Sequence, residues 1–139
     1  VAASREKEVN FILSGRHLTL ASLAIPNMFK KDNLRRLDDK IQEIVEIAET
    51  HDPEGLAASV RGMASRVDNT SYISTLNTPV MALFGDSDGF FDMTQVESQI
   101  SDLPNAVCHV VPNSGHDSYL EEPEFVAQKI QEFITKGNC

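Results

Sequence analysis

A chain of 139 residues, of which 41% are hydrophobic and 24% charged, has the size and composition of one globular domain. The 21 acidic residues outnumber the 12 basic ones and give a formal net charge of -9, which disfavours binding to nucleic acid and to anionic membranes. Two cysteines, Cys108 and Cys139, are too few for a disulfide framework, so a cytoplasmic setting is expected. No apolar run approaches the roughly 20 residues of a membrane span.

The first half of the chain predicts helices. Residues 33–50 carry apolar side chains at steps of three and four, which is typical of an amphipathic helix, and Asp32 or Asn33 can cap its first turn. A second helix is predicted after Asp52, with Pro53 at its first position. A short helix is expected to end before Pro26. The apolar stripes of the two longer helices are Leu34, Leu37, Ile41, Ile44, Val45 and Ala48, followed by Leu56, Val60, Met63 and Val67.

The pattern changes to strands in the second half. Val80–Phe84 is a short continuous apolar run ended by Gly85, and Ala106–Val111 is a second run of the same kind. Such runs are typical of strands covered on both faces, as in parallel sheets. A helix capped by Asp92 is predicted between them, and a last helix is predicted from Pro123 to a stop at Gly137. The fold class is therefore α/β, with a parallel βαβα segment after the helical region.

Two strands alone rarely form a stable sheet, so further strands are expected beside them. We expect a second copy of this chain or a complementary chain to cover the uncovered strands. The sequence opens at Val1 rather than at a methionine, which indicates a processed chain or a piece of a longer one.

An acid and a histidine follow the two predicted strands. Asp88 lies just after the first strand and His116, 28 residues later, just after the second. Ligands and catalytic groups gather at the carboxyl ends of strands in open α/β sheets, so the two side chains are expected to meet. A carboxylate bonded to one imidazole nitrogen fixes the tautomer, and the other nitrogen can then take a proton from a nucleophile. The scattered histidines show no metal-ligand spacing, and no metal or cofactor is expected.

The same stretch resembles part of a known family. "TPVMALFGDSD" and "NSGHDSYLEEPEF" are similar to the carboxyl-terminal part of α/β-hydrolases, in which a strand and G-x-x-D precede a strand, G-H, an acidic residue and a proline. The matching positions are Gly85, Asp88, Gly115, His116, Glu121 and Pro123, with Gly62, Met63, Arg66 and Asp68 similar to the segment where the family's lid rejoins the core. The resemblance covers residues 55–136 well and residues 1–54 only as generic lid helices. It implies a helical lid in residues 1–70 and an α/β core segment in residues 71–139 that carries the acid and the base of a triad.

The family's nucleophile is absent from this sequence. The G-x-S-x-G elbow does not occur, and Ser14 and Ser114, the nearest candidates, lack its flanking glycines. The leading hypothesis is a segment of a serine-type ester or acyl hydrolase, acting on a small acyl substrate and inactive alone. One alternative is a ligand-binding or interaction module without a nucleophile. Another is an acyltransferase relative, because "GHDSYL" also resembles the histidine segment of that group.

Other charged and aromatic residues receive simpler interpretations. The basic cluster of Lys30, Lys31, Arg35 and Arg36 is predicted to be the solvated face of a helix start. Glu121 and Glu122 are interpreted as favourable charges at the beginning of the last helix, without a chemical role. Asp86 competes with Asp88 for the role of acid, and the G-x-x-D spacing favours Asp88. Phe90 and Phe91 are predicted to line an acyl pocket, to pack in the core or to anchor their loop.

Overall fold

The computed structural model describes residues 2–75, 77–101, 103 and 105–135. The chain divides into two compact units, one formed by Val1–Pro26 with Leu37–Asp68 and the other by Asn27–Arg36 with Asn69–Cys139. The segment Asn27–Arg36, called the crossing segment below, thus groups with the second half of the chain. That the first unit acts as a lid stays a prediction.

The first unit is helical. Its elements are α1 (Ala2–Phe11), a π-helical turn (Ile12–Arg16), α2 (His17–Ala24), α3 (Asp38–Glu49) and α4 (Pro53–Ala64), and a 3-10 turn (Ile25–Met28) follows α2. Gly15, with φ 80° and ψ 10°, interrupts the helical backbone between α1 and α2. A small core of Val9, Ile12, Ala57 and Val60 holds the unit together, with Leu20 and Leu56 packed against it.

Two helix boundaries differ from the prediction. Helix α3 begins at Asp38 instead of Asn33, because residues 31–33 form a separate 3-10 turn and Asn33 uses its side chain for other bonds instead of capping. Helix α4 begins as predicted, with Asp52 Oδ2 accepting a hydrogen bond from Gly55 N at 3.0 Å. It ends at Ala64, however, so Val67 lies beyond the helix and is 74% exposed.

The second unit contains the strands. Its elements are α5 (Thr70–Ile73), β1 (Val80–Gly85), α6 (Met93–Ser101), β2 (Ala106–Val111), α7 (Ser118–Glu121) and α8 (Pro123–Thr135). The strands pair in parallel, from Val80 opposite Ala106 to Gly85 opposite Val111, which confirms the predicted βαβα arrangement. Helices α5 and α7 are too short for a periodic pattern and were not predicted. The predicted stop at Gly137 and the terminal Cys139 lie outside the described residues.

The sheet is sparsely covered. Within the described part of the chain it has only these two strands, and most residues of β1 are half-buried. On β2, Val107 is 37% exposed and Val110 is 44% exposed. Cys108 is half-buried in the same strand, and burial, followed by the charge of Glu97, raises the pKa of its thiol. No helix among the described residues is both long and apolar enough to cross a bilayer.

Two glycines allow three stretches of backbone to approach each other. A Cβ on Gly85 would overlap the backbone of Ser114 and Gly115. A Cβ on Gly115 would lie 2.7 Å from Met28 O and 2.8 Å from Lys30 N. The end of β1, the loop after β2 and the crossing segment are therefore packed backbone to backbone, and only glycine fits at these two positions.

We expect Gly115→Ala to lower the free energy of unfolding of the second unit by about 1–3 kcal/mol, because the added methyl group meets backbone atoms that cannot rotate away. Urea unfolding followed by tyrosine fluorescence measures this unit, since the chain has two tyrosines, Tyr72 and Tyr119, and both belong to it. Gly89→Ala is the control, because nothing lies within 4 Å of a Cβ there. Its effect is expected to stay within about 0.5 kcal/mol. Equal stability of the two variants would contradict the close packing.

Candidate active site

The structure brings Asp88 and His116 together. Asp88 lies in the loop after β1 and His116 in the loop after β2, and Asp88 Oδ2 is 2.9 Å from His116 Nδ1. The contact arises because β1 and β2 are parallel neighbours, so their following loops leave the same edge of the sheet. The catalytic roles of the two residues stay a prediction.

The Asp88 carboxylate is held at both oxygens. Its side chain is only 3% exposed, and Oδ1 accepts a hydrogen bond from Phe90 N at 2.8 Å while Oδ2 faces the imidazole. A carboxylate can only accept, so His116 Nδ1 carries the proton of the shared hydrogen bond. In a neutral imidazole the other nitrogen, Nε2, then has the free lone pair that a general base needs. The His116 side chain is 30% exposed and therefore remains accessible.

Two phenyl rings flank the imidazole. The ring centroids of Phe90 and Phe91 lie 4.9 Å and 5.4 Å from that of His116. Phe91 also contacts Phe84 of β1 edge to face, with centroids 6.2 Å apart. Phe90 is 58% exposed and Phe91 49% exposed, so neither ring is a buried core residue. Both give the surroundings of the histidine an apolar surface.

Glu121 has a different place from the one predicted. It is the last residue of α7, not a charge on α8, and it is completely buried, at 0% exposed. Its Oε1 accepts a hydrogen bond from Gly115 N at 2.5 Å. Its Oε2 accepts from Lys30 N at 3.0 Å and from Asn33 Nδ2 at 2.7 Å. The signal was present in the sequence, where Glu121 matched the acidic position of the family motif, but helix-start statistics favoured a solvated carboxylate.

Asp86 accepts hydrogen bonds from the loop after β2, whereas Asp88 is the carboxylate that contacts the imidazole. Its two oxygens accept hydrogen bonds from Asn113 N at 2.8 Å and Ser114 N at 3.2 Å, and Ser87 Oγ donates to it at 2.8 Å. Lys30 Nζ lies 3.6 Å away. Desolvation raises the pKa of Asp86, but these hydrogen bonds and the lysine charge together outweigh it, so the pKa of the carboxyl lies below its usual value.

The interpretation of the basic cluster as a solvated helix face was wrong for Lys30, which is half-buried, and incomplete for Arg36, which is exposed but binds α7. Lys30 contacts Asp86 with its ammonium group and Glu121 with its peptide N–H. Arg36 donates to Glu121 O at 3.0 Å and to Glu122 Oε1 at 3.4 Å. Both residues lie in the crossing segment but outside its 3-10 turn (Lys31–Asn33), and the segment packs beside the histidine loop. Lys31 and Arg35 are exposed, as predicted.

A further carboxyl group adjoins the histidine. Asp117 is half-buried, and burial raises the pKa of its carboxyl. The positive charge of His116 opposes this effect, whereas the negative charges of Glu121 and Asp88 add to it, and the net result is a raised pKa. Burial is therefore the main reason that the pKa of the Asp117 carboxyl lies above its usual value.

The two serines considered as nucleophiles are engaged elsewhere. Ser14 Oγ donates a hydrogen bond to Phe11 O at 2.7 Å. Ser114 is completely buried, and its Oγ donates to Val111 O at 3.4 Å. In the part of the chain that the structure describes, no group of three or more His, Cys, Asp or Glu side chains is arranged to hold a metal ion.

Comparison with known proteins shows what this chain is similar to. No family model matches the chain. The carboxylesterase YbfK of Bacillus subtilis (strain 168) is 29% identical over 66 residues, which cover 47% of this chain and 22% of that protein.

Two solved structures resemble the chain over nearly its whole length. A thermophilic esterase from Thermogutta terrifontis, with malate bound, superposes with a TM-score of 0.90 at 27% identity and covers 99% of this chain and 51% of that one. MGS-M2, an α/β hydrolase from a Medee basin deep-sea metagenome library, superposes with a TM-score of 0.79 at 17% identity and covers 96% of this chain and 50% of that one. The resemblance drawn from the sequence is thus confirmed: the chain is similar in structure to α/β hydrolases, and it spans about half the length of the solved structures that it matches.

Proposed function

We propose that Asp88 and His116 are the acid and the base of a serine-type triad for ester hydrolysis, with a nucleophile that lies outside these 139 residues. The observation that carries the proposal is the 2.9 Å contact between Asp88 Oδ2 and His116 Nδ1 at the carboxyl ends of two parallel strands. The likeness to an esterase at a TM-score of 0.90 supports the choice of reaction.

In this mechanism His116 moves the protons. Its Nε2 takes the proton of the serine hydroxyl as the serine oxygen attacks the ester carbonyl, and it then gives that proton to the departing alcohol. Water repeats the sequence on the acyl-enzyme, with His116 again acting first as base and then as acid. Asp88 keeps the imidazole in the required tautomer and stabilises the imidazolium that forms.

The surroundings of His116 favour an apolar group next to the scissile bond. The exposed rings of Phe90 and Phe91 flank the imidazole, and the carboxylates of Asp88 and Glu121 lie close enough to the adjoining Asp117 to raise its pKa. A small ester with an apolar acyl or alcohol group fits this combination better than an anionic one, because nearby negative charges repel an anion.

The chain alone is expected to show no saturable hydrolysis of p-nitrophenyl acetate, because a base without a nucleophile and an oxyanion hole has nothing to activate or stabilise. It is also expected to resist labelling by a fluorophosphonate probe, which reports activated serines. The rate of ester loss is compared with buffer and with His116→Ala. Saturable hydrolysis that His116→Ala leaves unchanged would contradict both the roles assigned here and the absence of a nucleophile.

Joined to an amino-terminal α/β-hydrolase segment that carries a G-x-S-x-G elbow, the chain is expected to hydrolyse the same ester. In this fusion His116→Ala is expected to lower kcat on the order of a million-fold, and Asp88→Asn on the order of ten-thousand-fold. His51→Ala is the control, because His51 is exposed and its Nδ1 contacts Ile47 O, four residues earlier, at 2.8 Å. A folded fusion that hydrolyses the ester equally well without His116 would refute the proposal. Ester binding without hydrolysis would instead favour the ligand-binding alternative.

The sparse cover of the sheet suggests a partner surface. With Val107 and Val110 exposed on opposite faces of β2, we expect the chain alone to self-associate and the fusion to be monomeric, because the added amino-terminal segment would cover these side chains. Sedimentation velocity at micromolar concentration measures both states. Val110→Lys is expected to weaken self-association, whereas Val67→Lys, at an exposed valine of the first unit, is expected to leave it unchanged. A monomeric chain would contradict this expectation.

A further inference from the structure

The loop that carries His116 is held entirely by groups outside it. The peptide N–H groups of Asn113–Asp117 all donate hydrogen bonds to three acceptors: Asp86, Glu121 and the carbonyl of Met28. Asp86 receives the first two, Glu121 receives Gly115 N, and Met28 O receives His116 N at 2.7 Å and Asp117 N at 3.3 Å. The loop has no helical turn of its own here, and Asn113 even has a positive φ of 57°.

Glu121 acts on this loop from two sides. Directly, its Oε1 holds the peptide N–H of Gly115, the residue that precedes His116. Indirectly, its Oε2 holds Lys30 N and Asn33 Nδ2 of the crossing segment, and that segment presents the Met28 carbonyl to His116 N. One buried carboxylate therefore determines where the backbone on either side of the imidazole lies.

We propose that Glu121 is a positioning residue for His116, which keeps the imidazole within hydrogen-bonding distance of Asp88. A catalytic consequence of this positioning rests on the proposed function. The positioning itself involves only atoms of this chain and can be tested without catalysis. Glu121 does not touch the reacting atoms in this scheme. It acts through the backbone of Gly115 and of the crossing segment.

Glu121→Gln keeps the size of the side chain but removes its charge and one of its two acceptor oxygens. The carboxylate accepts three hydrogen bonds, one at Oε1 and two at Oε2. An amide has one acceptor oxygen and an NH2 group that only donates, so either orientation leaves at least one of the three donors facing another donor. Because Glu121 is completely buried, no water molecule can accept the hydrogen bond of the donor that loses its partner.

The test observes the imidazole directly, in the full chain labelled with 15N-histidine. Long-range 15N–1H spectra identify the tautomer of each ring, and the chain has four histidines, so His116→Ala assigns the signal. In the wild type we expect a slowly exchanging Nδ1–H signal for His116. In Glu121→Gln we expect this signal to broaden or to exchange with water on the order of tenfold faster, the factor by which loss of one buried hydrogen bond shifts a local opening equilibrium.

Two comparisons separate positioning from general destabilisation. Glu124→Gln makes the same chemical change at an exposed residue of α8 and is expected to leave the His116 signal unchanged. Backbone amide exchange in β1 and β2 shows whether the whole unit opens, and a positioning role requires that faster exchange be confined to residues 113–117 and the His116 ring. Glu121→Asp keeps the charge but is one methylene shorter, and the same exchange rates are measured for it. If Glu121→Gln does not fold, the result for Glu121→Asp tests the positioning role.

The possible results distinguish this inference from the proposed function. A wild-type Nδ1–H signal that persists unchanged in Glu121→Gln and in Glu121→Asp would overturn the role of Glu121 and leave the Asp88–His116 pair intact. Faster exchange spread evenly over β1 and β2 would also overturn it, in favour of a purely stabilising role. A wild type without any His116 Nδ1–H signal would instead overturn the acid–base pair on which the proposed function depends. In the fusion enzyme, Glu121→Gln is expected to lower kcat about tenfold or more with little change in KM, since misplacing a catalytic group affects the chemical step.

Discussion

The buried carboxylate of Glu121 is the interaction on which the second unit of this protein depends. It lies at 0% exposure between a loop and a segment that are distant in sequence, and it supplies acceptors to both. A buried charge without partners would be strongly destabilising. Burial of this carboxylate therefore requires three hydrogen-bond donors in fixed positions, and few backbone conformations supply them. The same bonds that make its burial tolerable therefore specify the path of the loop.

The close packing of backbone follows from this constraint. Gly85 and Gly115 let the end of β1, the histidine loop and the crossing segment approach to distances that a side chain would prevent. Peptide groups brought so near need acceptors and donors in definite positions, and Asp86, Glu121 and the Met28 carbonyl provide them. The glycine before the histidine is thus explained by the backbone of the crossing segment against which it packs.

The concentration of acidic groups has an electrostatic cost that the structure partly offsets. Burial raises the pKa of Asp117, and the negative charges of Glu121 and Asp88 add to this effect. Lys30, supplied by the crossing segment, lies beside Asp86 and helps to lower the pKa of that carboxyl.

The sequence by itself determined the local elements and the identity of the acid and histidine pair. Continuous apolar runs located β1 and β2, and the positions of Asp88 and His116 just after them predicted the contact, because the carboxyl ends of neighbouring parallel strands must meet. Capping chemistry likewise located the start of α4 at Asp52 and Pro53.

Only the tertiary structure decided the role of Glu121 and of the basic cluster at Lys30 and Arg36. Glu121 is bonded to Lys30 across a separation of 91 residues and to Arg36 across 85, and no local pattern carries that information. The same holds for the start of α3, which lies at Asp38 because Asn33 is drawn into bonds with distant residues. Periodicity and capping report what a segment does with its own neighbours, whereas a buried polar group is placed by donors that only the folded chain brings to it.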